Sequence, residues 1–103
     1  MKVRLVSKRM NLLAYGEYVP ETGELTVFAG STVSDGISAS KTFRGKKSIE
    51  KAREGRVNGN VLSENVTFKS PSTAANFITG GSSNGMRLWK TEDGIAIGDL
   101  KER

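Results

Sequence analysis

The chain has 103 residues, of which 36% are hydrophobic and 26% charged, and sixteen Lys or Arg against eleven Asp or Glu give a net charge of +5. That length holds one domain, and burial of roughly 60–70% of the unfolded surface supports a modest core without covalent staples. Cysteine and histidine are both absent, which excludes disulfides, thiolate metal sites, cysteine nucleophiles and the side chain most often used for proton transfer near neutral pH.

The first ten residues carry Lys2, Arg4, Lys8 and Arg9. Charges recurring this often prevent a signal-peptide core, and no stretch approaches the ~18 apolar residues of a membrane span. A cytoplasmic protein with no membrane partner is expected. Residues 3–6 alternate in part and open with a short strand. Residues 11–19 are extended, and residues 24–29 alternate with Leu25, Val27 and Ala29 on one face. Pro20-Glu21-Thr22-Gly23 lies between these two runs. Proline presets the first turn dihedral and glycine closes the turn, so a β-hairpin is predicted. The charges in residues 11–40 are all acidic: Glu17, Glu21, Glu24 and Asp35. Residues 30–40 are small and polar and read as a loop.

A helix is predicted over residues 42–54, with Ile49 and Ala52 on one face and Lys46, Lys47, Glu50, Lys51 and Glu54 on the other. Gly55 stops it, and Arg53 in its last turn complements the helix dipole. Residues 41–56 form the second basic block, with Lys41, Arg44, Lys46, Lys47, Lys51, Arg53 and Arg56 against Glu50 and Glu54. Val57-Asn58-Gly59-Asn60-Val61 contains an Asn-Gly hairpin turn. Val61-Leu62 and Val66-Thr67-Phe68 follow as extended pieces. Residues 70–80 make the best helix: Ser70 caps, Pro71 takes the first helical position, Ala74, Phe77 and Ile78 form an apolar stripe, and Gly80 ends it. Ser82-Ser83-Asn84-Gly85 reads as a turn, Met86–Lys90 as a strand, Glu92-Asp93-Gly94 as a turn and Ile95–Ile97 as a second strand. Residues 98–103 form a polar tail that frays. The order describes a small single α+β domain over residues 1–103, built from antiparallel hairpins or a sheet with two short helices.

Few motifs carry chemistry. Ser40-Lys41-Thr42 lacks both glycines of a phosphate-binding loop. Ser38 with Lys41, and Ser48 with Lys51, match the spacing of serine–lysine acylases but lack the accompanying Ser-Asp-Asn and Lys-Thr-Gly elements. Turn chemistry accounts for Asp93 before Gly94 more simply than a metal site with Glu92 and Asp99. No catalytic residue, metal or cofactor is expected, and the chain is not read as an enzyme. Trp89 alternates with Arg87 on a half-buried strand, which places it in the core. Flanked by Arg87 and Lys90, it also has the residue types that stack on a base beside phosphates.

Phe68-Lys69-Ser70-Pro71-Ser72-Thr73-Ala74-Ala75, then Gly80-Gly81, Asn84-Gly85, Trp89-Lys90 and Gly94, resemble the four-three-five-seven family of domains of unknown function. Ala29-Gly30-Ser31, Arg44 and Gly55 also stand where that family places Gly-Ser, an arginine and a glycine. The resemblance runs from about Leu13 to Ile97. Met86 departs from it, standing where an aromatic residue is common. The C-terminal signature is also similar to the restriction-enzyme adenine-methylase-associated (RAMA) domain. The resemblance implies a module without established enzymatic activity, found beside GIY-YIG nuclease-like or restriction–modification proteins. It also implies Ser70, Ser72, Asn84, Trp89 and Lys90 as contact residues.

The charge distribution and this context together lead to a non-enzymatic DNA-binding domain, with Arg44, Lys46, Lys47, Lys51, Arg87 and Lys90 meeting phosphates. A separate nuclease or methylase chain would be its partner, and a monomer is the default state. The alternative is a protein-interaction module, recognisable by an exposed apolar patch.

Overall fold

The computed structural model describes residues 1–35 and 46–100. Arg44 and the predicted first turns of the first helix lie outside the described residues. Strands β1 (Lys2–Ser7), β2 (Leu12–Tyr18) and β3 (Leu25–Val27) form an antiparallel meander, and β6 (Val66–Phe68) joins it in the order β1-β2-β3-β6. A two-stranded ribbon, β4 (Val57–Asn58) with β5 (Val61–Leu62), stands apart. Helices α1 (Lys46–Arg53), α2 (Pro71–Thr79) and the single-turn α3 (Gly85–Leu88) complete the fold. The class is α+β, with one short helix more than expected.

Alternation along the first two strands gives the sheet two unlike faces. Val3, Leu5, Leu12 and Ala14 point inward and are buried, while Lys2, Arg4, Val6, Leu13 and Tyr15 point outward and are exposed. Pairing places Arg4 opposite Tyr15 and Val6 opposite Leu13, so the outer face carries these side chains as cross-strand neighbours. The inner face is covered by α2 through Ala74, Ala75, Phe77 and Ile78, all buried. Phe77 also meets Phe68 of β6 with ring centroids 4.9 Å apart. The hairpin predicted around residues 20–23 is β2–β3, closed by Gly23 at φ 81°. Ala29 lies beyond its alternation and is exposed.

Helix α2 follows its local signals. The Thr73 amide donates to the Ser70 hydroxyl oxygen at 3.2 Å, Pro71 occupies the first turn, and Gly80 closes the helix at φ 77°. Two other expectations are corrected. The β4–β5 turn centres on Gly59 and Asn60, with φ of 59° and 69°, one residue later than an Asn58-Gly59 turn. Both left-handed residues are what a two-residue hairpin loop requires. The position is set from outside the hairpin: the Asn60 side-chain amide donates to Val33 O at 3.2 Å and to Asp35 Oδ1 at 2.6 Å.

Met86–Lys90 is not a strand. Arg87 N and Leu88 N donate to Asn84 O, and Trp89 N to Gly85 O, which winds Gly85–Leu88 into α3. What remains extended is Trp89-Lys90, where Lys90 bridges Arg4 of β1 on one side and Ala96 on the other. The expected terminal hairpin is reduced to that bridge around a turn closed by Gly94, and Ile97–Asp99 coil into a 3-10 turn. Gly98 and Asp99 therefore belong to the fold rather than to a frayed tail.

Arg53 stands in the last turn of α1, as expected, and serves a second helix as well. Its guanidinium reaches across to α2, donating to Phe77 O at 2.7 Å and 3.1 Å, to Ile78 O at 3.5 Å and to Ser34 O at 3.1 Å, and it lies 5.7 Å from the Phe77 ring centroid. The last carbonyls of a helix have no intrahelical donor and carry partial negative charge. Arg53 supplies both the donors and the charge, although burial lowers its pKa from the ordinary value. Arg53→Ala is expected to cost about 2 kcal/mol, the scale of hydrogen bonds to a charged group. Thermal unfolding should show a loss of about 10 °C. Arg53→Lys should restore less than half, because one ammonium cannot reproduce a planar fork. Full restoration by Lys would show that charge alone matters.

Candidate functional site

The signature residues converge on one atom, the carbonyl oxygen of Pro71. The Trp89 indole N–H donates to it at 3.1 Å. Gly85 lies so close that a Cβ there would stand 2.1 Å from the same oxygen and 2.4 Å from Ser72 N. Ser70 caps the helix that presents this carbonyl. Ser70, Gly85 and Trp89 thus lock the starts of α2 and α3 together, and Ser72 sits half-buried in the same first turn. Trp89 is 0% exposed, so it offers no ring face to a base. The expected core placement of Trp89 holds, although through the helical turn of Gly85–Leu88 and not through strand alternation with Arg87, and its selection as a stacking residue is corrected.

The lock positions the loop from Gly80 to Asn84. That loop is braced from below: Ser83 N donates to Asn76 Oδ1 at 2.9 Å, and the Thr79 and Ser83 hydroxyls are in hydrogen-bond contact. Across from it lies the β1–β2 turn, where Asn11 adopts a φ of 56°. Between the two opens a cleft of about 910 Å³. Arg9 enters it from the β1–β2 turn and Arg87 from α3, with Ser82 and Asn84 on the loop side. Asp35 contributes a carboxylate to the lining, already held by the Asn60 amide. Asn84 begins α3 through its backbone, and its side chain makes no capping bond.

The electrostatics favour an anion. Among the described residues the ion pairs are the Met1 amino group with Glu17 and Arg56 with Glu64. Arg9 and Arg87 are exposed and belong to neither. Two guanidinium groups beside hydroxyl and amide donors suit a phosphate, which guanidinium binds in a bidentate fork. No group of three Asp or Glu that could hold a metal ion occurs among the described residues.

The predicted contact residues are therefore distributed over four places. Asn84 and Arg87 line the cleft. Ser70, Ser72 and Trp89 belong to the lock. Lys46, Lys47 and Lys51 are exposed on α1, whose buried side carries Ile49. Lys90 is exposed beside Arg4 at the edge of the sheet. Arg9 is the residue that sequence reasoning did not single out. Its signal was the basic block at the N-terminus, but only the β1–β2 turn brings it to the loop before α3.

No helix among the described residues is long and apolar enough to cross a membrane. No curated protein and no solved structure matches the chain. A family model does match, over residues 5–101, and it takes in the whole lock and both arginines of the cleft. The chain belongs to the family described as domain of unknown function (DUF4357).

Proposed function

We propose that the chain is a non-enzymatic DNA-binding domain and that the cleft seats a backbone phosphate between Arg9 and Arg87. The observation that carries this reading is the pair of arginines without carboxylate partners among the described residues, facing a loop rich in hydroxyl and amide donors. Lys46, Lys47, Lys51 and Lys90 add long-range attraction and position the duplex without reading its sequence. Similarity to the RAMA domain supports a cytoplasmic role beside a nuclease or methylase, with N6-methyladenine as the modification to test.

The reading is tested by duplex binding as a function of salt. Each phosphate contact contributes about 0.9 to the slope of log affinity against log salt. Arg9→Ala with Arg87→Ala removes that one phosphate contact and should therefore reduce the slope by about 1 and weaken binding about tenfold or more at low salt. Lys46→Ala with Lys47→Ala should have the smaller effect, because these lysines are solvated on one helix face. Unchanged duplex affinity in the double arginine variant at low salt would remove the cleft from the interface.

A further inference from the structure

The cleft lies on the helix side of the sheet and leaves the outer face unexplained. Among the described residues no helix covers that face where β1 and β2 pair. Tyr15 stands at its centre, 47% exposed, opposite Arg4. Phe28 projects beside it, tied to β2 by its backbone N–H, which donates to Tyr15 O at 2.8 Å. Tyr15, Phe28, Lys2 and Arg4 line a hollow of about 440 Å³, with Glu92 as its carboxylate. Lys90 pairs with Arg4 and extends the same row of cations across the sheet. Val6 and Leu13, 53% and 41% exposed, form the next rung toward the β1–β2 turn.

An exposed tyrosine on a strand has two simple alternatives, a partner protein or water. The charge around it distinguishes them. Two cations, Lys2 and Arg4, line the hollow with the two rings, Lys90 follows beside Arg4, and Glu17 is engaged by the Met1 amino group. Aromatic faces among cations match an unpaired nucleotide, whose base stacks while its phosphate meets lysine or arginine. Glu92 can accept from an exocyclic amino group on a base edge. The geometry also connects to the cleft. Ser7, on the cleft wall, is three residues along β1 from Arg4, a path of about 10 Å at the usual strand rise.

We infer that the outer sheet face is a base-stacking platform that binds single-stranded DNA, with Tyr15 and Phe28 as the stacking side chains and Lys2, Arg4 and Lys90 along the phosphates. The inference rests on the nucleic-acid reading above but uses a different surface. The probe is a fluorescein-labelled ten-nucleotide oligo-dT strand, compared by anisotropy with an abasic strand of the same length. The two strands carry the same phosphates, so only stacking separates them. Oligo-dT should bind about tenfold or more tightly than the abasic strand, the effect of one or two stacked bases. Tyr15→Ala should abolish that preference and Tyr15→Trp should retain it, while both variants keep the unfolding midpoint of the parent.

Equal binding of the two strands, or a preference that survives Tyr15→Ala, would overturn the inference. So would a concentration-dependent dimer in sedimentation that Leu13→Arg dissolves, since the face would then be covered by a second copy. The two readings fail separately. Loss of the stacking preference with an intact effect of Arg9→Ala and Arg87→Ala on duplex removes the platform alone. The converse result removes the cleft alone.

Discussion

Trp89→Ala is expected to leave little folded protein at 37 °C. Removing a fully buried indole costs about 3–5 kcal/mol through lost burial and the cavity left behind. The Pro71 carbonyl also loses its donor. Domains of this size have about 5–15 kcal/mol in total, so the unfolding midpoint should fall by about 20 °C or more. Trp89→Phe separates the two contributions. It keeps a six-membered ring but removes the pyrrole part of the indole with its N–H, and should cost about 1–3 kcal/mol, the penalty of an unsatisfied buried acceptor together with a void. Circular dichroism melting measures both. A midpoint lowered by only a few degrees in Trp89→Ala would mean that the start of α2 does not depend on this contact.

Gly85→Ala ranks next. The backbone of Gly85 is not in the left-handed region, so alanine would be acceptable there on dihedral grounds alone. The obstacle is space: the new methyl would meet the Pro71 carbonyl, a backbone group that cannot swing aside. Overpacking of this kind costs about 3 kcal/mol when the neighbour is rigid. Gly94→Ala is the matched control. Gly94 has open space around it but a φ of 82°, so its cost is left-handed strain of about 1–2 kcal/mol. Chemical denaturation of the two variants should therefore rank Gly85→Ala as the more damaging. The reverse order would show that α3 can move off α2 without penalty.

The contrast between these glycines shows what a sequence makes legible. Signals that act within a few residues were readable. Ser70, Pro71 and Gly80 delimited α2, Ala74, Phe77 and Ile78 marked its buried face, and the turn at residues 20–23 placed β2 against β3. Signals that depend on a distant partner were not. Met86, Arg87, Leu88 and Trp89 alternate as a strand would, and the contact that coils them is the fit of Gly85 onto Pro71. The Gly59-Asn60 turn follows from Asn60 reaching Val33 and Asp35. Arg53 was readable as a complement to the dipole of its own helix, but its bonds to α2 were not, because α2 is remote in sequence.

The candidate site divides along the same line. Asn84 could be named from the motif and Arg87 as a cation flanking Trp89, because both lie close to it in sequence. Arg9 could be seen only as one cation in a basic block, and its place opposite Arg87 is a property of the folded chain. Tyr15 and Arg4 are neighbours only through the β1–β2 register. The lysines of α1 were readable as a charged helix face, and the structure leaves them on one.

The meeting of Ser70, Gly85 and Trp89 at the Pro71 carbonyl bears on how such domains diverge. Ser70, Gly85 and Trp89 hold two helix starts together, and none of those contacts involves the Arg9 or Tyr15 side chains. Substitutions at Arg9, Ser82, Arg87 or Tyr15 can therefore accumulate without loosening the scaffold, whereas a change at the lock is eliminated before any new ligand is tried. Kinship through this signature transmits a chassis, and a lineage is free to fit that chassis to a different ligand.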